Sequence, residues 1–526
     1  MRLGARPSHL RRMTAGLVPI IPTKLSIFHI KEKDMSTKPL YKFLVVLALF
    51  AMIVTACSPA ATPAPTTAPV EPTAAPKATE APKATEAPKP TEAPKATEAP
   101  KPTEPPAAKK PSGKLLIWVQ KINMEAWQNT VLPKFQEMYP DVEIEFVNNP
   151  PQDVADQVGL AIQGGAGGPD LFVTGTEYGT KLVDLGGLKD LTELVEPYKA
   201  DLHPGMLAAC SKEGKIYCVP WDIGPTGTFY RRDVFEAAGL ESDPESVSGM
   251  IGTWEDLLAT CQTIKDKTGL NCFSLNKANN EGYLYNYMLS SQGLGYFNDK
   301  NELTMSCPAN VATLEKLKTF WDAGLVSDTQ VWTDPWYAEF KNPLDNKDVP
   351  PVALITIPAW MGGFLKGWIA PDATGNWGVA EMPAFEAGGA RAASGGGSSY
   401  YIPEASTNPE AAWELIKFLN LDPANNAAIY AHADIFPAVL SAYKEKVFKE
   451  EDPYFGGQKT REFFAKVAAI SPIDHFLHPY GQVMNDNAQR AIQAFATDKG
   501  SAVDVLKDAA DAVALETGMS KAPDCP

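Results

Sequence analysis

Basic charge, histidine and long apolar segments are all scarce in this sequence of 526 residues. Lys and Arg number 47 against 63 Asp and Glu, which gives a formal net charge of −16 at pH 7. Binding to a nucleic-acid duplex depends on clustered Lys and Arg, so this balance excludes nucleic acid as an expected partner. Six histidines leave little for metal or acid–base chemistry. The hydrophobic share of 44% is close to the globular average and excludes a wholly disordered chain.

Motifs typical of enzymes and metal sites are missing as well. The sequence contains no C-x2-C pair, no H-E-x-x-H and no G-x-S-x-G, which are the simplest zinc, metalloprotease and serine-hydrolase signatures. The glycines of GGAGG, at 164–168, do not follow the G-x-G-x-x-G spacing and precede a predicted strand, so a helix exit is favoured over a phosphate site. His475 and His478, beside Asp474, are better explained by a Pro-flanked loop than by metal binding. We predict no metal and no cofactor.

The amino-terminal region contains one apolar run, Phe43–Ala56. Its fourteen residues are short for a bilayer span, which needs about 20, but they suit the apolar core of a secretory signal. The run ends in small residues before Cys57, a pattern that resembles a bacterial lipoprotein signal. We therefore expect translation to start at Met35, residues 1–56 to be removed and Cys57 to be acylated. A signal anchor left uncut is the alternative.

A segment of low complexity follows, from Cys57 to Ser112. It is built mainly from Ala, Pro, Thr, Lys and Glu, and between Ala75 and Glu104 it repeats every six residues. Such a composition has almost nothing to bury and is expected to stay extended and solvated. At about 3.1 Å per residue, the tract spans on the order of 100 Å or more. We interpret residues 57–112 as a lipid-anchored tether. A Pro-rich recognition ligand is less favoured because no aromatic or fixed basic flank recurs.

Six cysteines remain after Cys57, an even number in a chain expected to be exported. They are Cys210, Cys218, Cys261, Cys272, Cys307 and Cys525. Pairing neighbours in sequence is the simplest of the fifteen possible arrangements. In that arrangement, Cys210–Cys218 would close a short turn and Cys261–Cys272 would join a helix end to the next strand. The pair Cys307–Cys525 would fasten the carboxyl terminus.

From residue 113 onward, strand and helix patterns alternate. Apolar or alternating runs predict strands at Lys114–Val119, Val142–Val147 and Asp170–Val173, with helical spacing between them. Strands that alternate with helices and are joined to them by short links predict right-handed crossovers and a parallel sheet. The alternation resumes with helices at 254–267 and 311–322, strands at 271–275 and 352–357, and mostly helical structure in the last hundred residues. Two α/β lobes are the economical interpretation.

A series of segments in a fixed order now carries a resemblance to a known family. In order they are KLLIWV, FQEMYPDVEIEFV, GGAGGPDLFV, KIYCVPWDIGPTGTFYRRDVFEAAGL, VALITIPAW, NWGVAEMP and GGGSSYYIPEASTNPEAAWELIKFL. With the signal and tether before them, they resemble the extracellular solute-binding proteins of family 1. These are the sugar-capturing subunits of bacterial ABC importers and are related to maltose-binding protein. The later cysteines are unusual for that family, so their pairing does not follow from the resemblance.

The resemblance implies a type II periplasmic-binding-protein-like fold, with a ligand cleft between two lobes joined by hinge strands. Carried over, lobe 1 comprises residues 113–222 plus 378–419, and lobe 2 comprises 223–377 plus 420–526. The crossings would lie near 223–227, 377–379 and 420–422. Gly224, Pro225 and Gly227 are candidate hinge residues because glycine tolerates large changes of φ and ψ.

Candidate ligand contacts follow from position, since sugars need flat aromatics for stacking and polar groups for their hydroxyls. Core packing is the alternative for each. Trp118, Trp254, Trp321 and Trp413 have strand or helical positions that favour core roles, and Trp368 and Trp377 are weaker candidates. The candidates are Trp221 and Asp222 at the first crossing; Trp360 after a strand; Trp332 and Trp336 in the loop VWTDPWY; Glu177 and Tyr178 at the carboxyl end of the third strand; and Gly397, Ser398 and Ser399 through backbone N–H groups.

The resemblance implies a monomeric lipoprotein on the outer face of the cell membrane that captures a mono- or oligosaccharide for an ABC permease and is not an enzyme. A secreted glycosidase is the rival from another class, and with 63 acidic residues a suitable carboxylate pair decides nothing. A polyol or glycerol phosphate is an alternative solute, for which Arg231 and Arg232 follow the first crossing. An adhesion or cell-wall scaffold would explain the tether but not the two-lobe order.

Overall fold

The computed structural model describes residues 110–165, 167–277, 283–471 and 476–525. The predicted leader, the acylated Cys57 and the tether up to residue 109 lie outside these ranges, as do Asp474 and His475. Among the described residues, no helix combines the length and the apolar character needed to cross a bilayer.

The chain builds its first lobe by alternating strands and helices, as the hydrophobic pattern predicts. In chain order the elements are β1 (Gly113–Val119), α1 (Lys121–Gln128), α2 (Leu132–Met138), β2 (Val142–Asn148), α3 (Pro151–Gly164), β3 (Leu171–Gly175), α4 (Thr176–Leu185), α5 (Thr192–Val195), a 3-10 turn (Glu196–Asp201), α6 (Pro204–Ala209), β4 (Ser211–Lys212), β5 (Lys215–Ile216) and β6 (Val219–Pro220). Helix α3 begins at a proline and ends before Gly165, whose φ is 70°. Both residues are favoured at those ends, and the expected helix exit in GGAGG is confirmed.

The chain then enters the second lobe, where strands and helices again alternate. The elements are β7 (Thr226–Arg231), α7 (Arg232–Ala237), α8 (Pro244–Met250), α9 (Trp254–Thr268), β8 (Phe273–Ser274), α10 (Tyr283–Ser290), α11 (Pro308–Asp322), β9 (Val326–Ser327), α12 (Asp334–Lys341), β10 (Leu354–Pro358), α13 (Trp360–Phe364) with a π-helical continuation (Leu365–Ile369), and β11 (Trp377–Ala380). Helix α9 has a capping box, in which Thr253 and Asp256 satisfy each other's backbone N–H groups. This local signal explains the sharp start of α9.

The last part of the chain returns to the first lobe and ends in helices. Its elements are β12 (Ser398–Tyr401), α14 (Pro409–Ile416) with a π-helical continuation (Lys417–Leu421), α15 (Pro423–Ala433), 3-10 turns at Leu440–Lys444, Lys446–Lys449 and Pro453–Phe455, α16 (Thr460–Ile470), α17 (Gly481–Ala496) and α18 (Ala502–Thr517). The predicted helical character of the last hundred residues is confirmed.

Each lobe is built on its own five-stranded sheet. In the first sheet the order is β2-β1-β3-β12-β6, with β1 parallel to both β2 and β3 and with β12 antiparallel. In the second sheet the order is β11-β7-β10-β8-β9, with β7 antiparallel to both of its neighbours. Helices cover the sheets, and Trp254, Trp321 and Trp413 are buried as expected. The two α/β lobes that the sequence predicts are therefore present.

The lobe boundary expected at residues 377–379 is wrong. Strand β11 pairs with β7 along Trp377–Ala380 and lies in the second sheet. The next residues stay in that lobe, since Met382 and Ala393 are buried in its hydrophobic core. The chain crosses back only at 394–397, where Pro225 pairs with Ser394. An apolar strand pattern marks β11 correctly but carries no information about which sheet will accept it.

A third segment, 435–439, also runs along the junction of the lobes. Asp222 pairs with Pro437, the N–H of Ile223 donates to the carbonyl of Phe436, and the N–H of Ala438 donates to the carbonyl of Trp221. This segment lies later in the chain than the expected crossing at 420–422, which falls inside a helical stretch. Three chain segments, 221–226, 394–397 and 435–439, thus form the hinge layer.

Three disulfide bridges join the six later cysteines. The bonded pairs are Cys210–Cys218, Cys261–Cys272 and Cys307–Cys525, with Cα separations of 5.0, 5.1 and 5.4 Å. These are the neighbour pairs that the sequence favours. The third bridge fastens the end of the chain, beyond α18, to the start of α11, so it closes a loop of much of the second lobe.

Candidate functional site

The carboxyl ends of one strand from each lobe meet at the hinge layer. After β3, the N–H of Thr176 donates to the carbonyl of Gly397 at 2.8 Å. After β10, the N–H of Ala359 donates to the carbonyl of Pro225 at 3.0 Å. In α/β sheets, ligands bind beyond the carboxyl ends of strands. The region around these two contacts is therefore the candidate site.

Glycine packing brings the hinge segments unusually close. A Cβ at Gly224 would lie 2.2 Å from the carbonyl oxygen of Gly395, and one at Gly397 would lie 2.4 Å from that of Asp222. Gly396 and Gly397 also have positive φ angles, 82° and 150°. Gly224 was a predicted hinge residue, whereas the facing glycines at 395 and 396 were not identified from the sequence. The sequence feature that could have identified them is the run of three glycines at 395–397.

The side chain of Asp222 links the first hinge segment to Ser398, the first residue of β12, which directly follows the second hinge segment. Its carboxylate accepts a hydrogen bond from the N–H of Ser398 at 2.8 Å. Burial disfavours the charged form and raises the pKa of Asp222 to about 6, although the bond from Ser398 opposes that rise. The N–H of Ser398 is thus engaged within the protein. Direct ligand contacts by Asp222, Gly397 and Ser398 stay predictions.

Trp221 belongs to the core of the first lobe. Its side chain is 1% exposed and packs against Trp127 and Tyr400, with ring centroids 5.5 and 5.4 Å away. The residue after β6 still faces the interior, so Trp221 has the core packing that is the alternative to ligand contact for each candidate. Ser399 is buried too, and its hydroxyl lies 3.1 Å from that of Thr176. Ligand stacking by Trp221 remains a prediction.

Glu177 and Tyr178 lie in the first turn of α4, directly after β3. Both side chains are half-buried, which places them at the strand end that the sequence predicts. Gly175 makes room for this turn, since a Cβ there would lie 2.5 Å from Oε1 of Glu177. The pair is therefore held beside the hinge segment at Gly397, to which Thr176 is bonded.

Three tryptophans predicted from separate segments come together in the second lobe. The ring of Trp332 lies 5.1 Å from that of Trp336 and 5.9 Å from that of Trp360. Trp332 and Trp360 are half-buried, whereas Trp336 is 1% exposed and lies in helix α12 and not in a loop as expected. Tyr337, Phe364 and Trp368 adjoin them. We refer to these six residues as the aromatic cluster.

A buried carboxylate supports the segment that carries Trp332. Glu339 is 2% exposed, and its carboxylate accepts hydrogen bonds from the hydroxyls of Ser274, at 3.0 Å, and Ser327. Burial raises the pKa of Glu339 while these hydroxyl donors oppose the rise. Because Ser274 and Ser327 end β8 and β9, Glu339 fixes both strand ends beneath the cluster. Nothing in the sequence distinguished Glu339 from other helix-surface acids.

Trp332 itself has a left-handed backbone, with φ of 62°. Bulky residues rarely adopt this conformation, which costs on the order of 1–3 kcal/mol and persists only where surrounding structure imposes it. The anchored strand end at Ser327 and helix α12 bracket the segment. Local strain of this kind is concentrated at functional positions, which supports a role for Trp332 beyond packing.

Two cavities border the hinge layer and the aromatic cluster. The smaller, of about 50 Å³, is lined by Ser274, Asn276, Thr356 and the rings of Trp332 and Trp336, among others. The larger, of about 360 Å³, lies between α6, the hinge residue Ser394 and helix α16. Within the residues that the structure describes, no group of three or more His, Cys, Asp or Glu side chains is placed to hold a metal ion.

Two α/β lobes with candidate contacts at their hinge define a solute-binding protein of the two-lobe class. The family model described as "Bacterial extracellular solute-binding protein" matches residues 118–426. The chain belongs to that family, and the resemblance seen in the sequence is confirmed. Members of this family are binding proteins that serve transport and lie outside the cytoplasm.

Similar proteins include two curated relatives and many solved structures. A lactose-binding protein of Rhizobium radiobacter is 28% identical over 77% of this chain and 93% of its own length. An arabinooligosaccharide-binding protein of Bacillus subtilis is 26% identical over 66% of this chain and 79% of its own. The ABC transporter associated binding protein from B. animalis subsp. lactis Bl-04 in complex with β-1,6-galactobiose superposes with a TM-score of 0.65 at 20% identity, covering 78% of this chain and 99% of that one. That likeness confirms the two-lobe fold.

Proposed function

We propose that this protein captures a carbohydrate between its lobes, leaves it chemically unchanged and delivers it to the permease of an ABC importer. The aromatic cluster carries this proposal. Half-buried rings at the end of β10, next to the hinge layer, suit the apolar C–H faces of sugars, and ligand pockets combine such rings with a few placed polar groups. Glu177 and Tyr178 would supply polar contacts from the first lobe.

The supporting residues divide into two layers. Trp332 and Trp360 are the rings we assign to direct ligand contact, and we assign the backbone at Gly397 to a polar contact from the hinge layer. Trp221, Trp336 and Ser399 are buried in this conformation, and we assign them to holding the contact layer in place. The names of the lactose- and arabinooligosaccharide-binding relatives support a carbohydrate as the ligand.

The phosphate-ester alternative lacks an available cation among the two arginines considered for it. The guanidinium of Arg231 donates to both carboxylate oxygens of Asp233 and to the carbonyl of Asn342. Arg232 donates to the carbonyls of Trp377, Ser242 and Phe455. Both side chains are therefore engaged in the fold of the second lobe, which favours an uncharged solute.

A ligand panel tests the binding proposal. Thermal unfolding is measured with lactose, β-1,6-galactobiose, arabino-oligosaccharides and malto-oligosaccharides, and with glycerol 3-phosphate as the phosphate probe. A bound ligand stabilises the folded state by about 2.7 kcal/mol at a hundred times its Kd. Stabilisation by a sugar without release of reducing ends is the expected result. Hydrolysis of the sugar would support the glycosidase instead, and stabilisation only by glycerol 3-phosphate would contradict a carbohydrate ligand.

The attachment to the membrane is proposed from the sequence alone. We propose that Cys57 is acylated, that residues 57–112 hold the lobes away from the outer face of the membrane, and that the protein acts as a monomer. Mass spectrometry of membrane-extracted protein is expected to find an acylated peptide that begins at Cys57. An intact peptide spanning Phe43–Ser58 in the mature protein would contradict this.

A further inference from the structure

One face of the helical segment after β10 is aromatic along its whole length. Trp360, Phe364 and Trp368 follow one another at intervals of four residues through α13 and its π-helical continuation. Side chains four residues apart lie on the same side of a helix. Their ring centroids are 5.2 and 5.7 Å apart in succession. The three rings therefore form a continuous row that begins at the candidate site and leads away from it.

Helix α12 supplies two further rings beside this row. Trp336 and Tyr337 are adjacent in sequence, with rings 5.4 Å apart, and Tyr337 lies 4.7 Å from Trp368. At the other end, Trp332 joins Trp336 to Trp360. The six rings thus contact one another in a closed loop. We call the side formed by Trp332 and Trp360, at the candidate site, its inner end, and the opposite side, formed by Trp368 and Tyr337, its outer end.

The outer end of this loop of rings is open to solvent. Trp368 is 48% exposed, and Tyr337 and Phe364 are half-buried. A single exposed apolar residue is ordinary, but an exposed aromatic surface that continues from a candidate pocket is typical of an interaction site. The neighbouring cation turns away from it, because the ammonium of Lys366 pairs with Asp434 and, at 2.8 Å, with Asp452. The ammonium of Lys366 is therefore not directed at these rings, and Asp334, in the first turn of α12, is a charged neighbour of Tyr337.

We propose that Trp368 and Tyr337 form an outer sugar subsite, so that the preferred ligand is an oligosaccharide longer than a disaccharide. The inference rests on the proposed function. Four residues of helix advance by about 6 Å, which is comparable with the length of one sugar unit in a chain. A glycan whose first units lie against Trp332 and Trp360 in the cleft would place later units over Phe364 and then Trp368.

The test compares Kd values across chain lengths. Isothermal titration with the arabino-oligosaccharide and malto-oligosaccharide series, from disaccharide to hexaose, is done on the full chain and on Trp368→Ala. We expect the variant to bind the longer members about 2- to 13-fold more weakly, the range given by one aromatic contact. Disaccharide affinity is expected to change less than about twofold. Trp368→Phe, which keeps a ring, should restore most of the loss.

Controls separate this subsite from a general defect. Leu515 is 89% exposed on α18, far along the chain from the cluster, and Leu515→Ala is expected to leave every Kd unchanged. Equal losses at all lengths, or a wild-type Kd that does not improve beyond the disaccharide, would overturn the outer subsite while leaving sugar binding intact. Failure of the wild type to bind any glycan would instead remove the proposed function itself. Unchanged glycan affinity with impaired transport would assign Trp368 to a protein contact and overturn the subsite.

Discussion

At the scale of single residues, Asp222 combines a structural bond with a perturbed ionisation. Its carboxylate joins hinge segment 221–226 to Ser398, directly after hinge segment 394–397, and burial raises its pKa to about 6 from 3.8. A carboxyl group whose pKa is higher in the folded state stabilises that state fully only below its unfolded pKa. The contribution is lost as the pH rises through about 6.

Asp222→Asn is therefore expected to change how stability depends on pH. Asparagine keeps an oxygen to accept the bond from Ser398 but carries no charge to desolvate. Between about pH 4 and pH 7 the wild type should lose on the order of 2–3 kcal/mol that the variant retains. Urea unfolding across that pH range is the measurement. A parallel pH dependence in the two proteins would show that the Asp222 carboxyl is not the group responsible.

Single residues also mark the limit of prediction from sequence. The tryptophans with helical spacing, such as Trp413, were assigned to the core correctly because periodicity reports burial directly. Trp221 stands in an irregular segment, so only the tertiary packing with Trp127 and Tyr400 reveals its place. Glu339 was not found because its role depends on Ser274 and Ser327, which come from two other elements.

At the scale of elements, the glycines of the hinge layer determine how closely two segments approach. Gly224→Ala would place a methyl group 2.2 Å from the carbonyl oxygen of Gly395, so the segments must separate. We expect a loss of about 1–3 kcal/mol in the free energy of unfolding, the usual range for overpacking. Thermal or urea unfolding measures it.

Gly249→Ala is the matched control for this substitution. Gly249 lies in helix α8, and a Cβ there meets nothing within 4 Å. Alanine at this position should stabilise the protein by up to about 1 kcal/mol through its helix propensity. If both variants were destabilised to the same degree, close packing at the hinge would not be the cause.

The disulfides allow a second prediction at the scale of elements. In the chain-entropy model a bridge stabilises in proportion to the logarithm of the loop it closes. The sequence separations are 8, 11 and 218 residues, which give about 2.5, 3 and 5 kcal/mol. A Cys307→Ser, Cys525→Ser double variant should therefore lose more stability than the Cys210→Ser, Cys218→Ser variant, as measured by urea unfolding. The opposite order would contradict the entropic account for this chain.

At the scale of the whole molecule, the three segments of the hinge layer connect two separately packed lobes. Ligand captured between the lobes is expected to bring them together. Small-angle scattering should then show a smaller radius of gyration when a sugar that stabilises the protein is added. Trp360→Ala should require about 10- to 100-fold more of that sugar for the same change. If Trp360→Ala became compact at the same sugar concentration as the wild type, the ligand would not bind at Trp360.

The two-lobe architecture was predictable because alternating strand and helix patterns constrain topology strongly. Parallel pairing of β1 with β2 and β3 follows from the helical connections between them. The lobe boundary was not predictable in the same way. Strand β11 joins β7 in an antiparallel pair that no connection length dictates, and the hinge segment at 435–439 has no strand pattern of its own.

The bridge between Cys307 and Cys525 has a mechanical consequence. A chain pulled from both ends can extend only through residues that lie outside closed covalent loops, and this bridge closes a loop with a sequence separation of 218 residues. At about 3.3–3.6 Å per residue, the loop withholds roughly 700–800 Å of contour length. Force spectroscopy should record that missing length in the oxidised protein and recover it after reduction, so the sudden gain in extension would report the redox state of a single molecule.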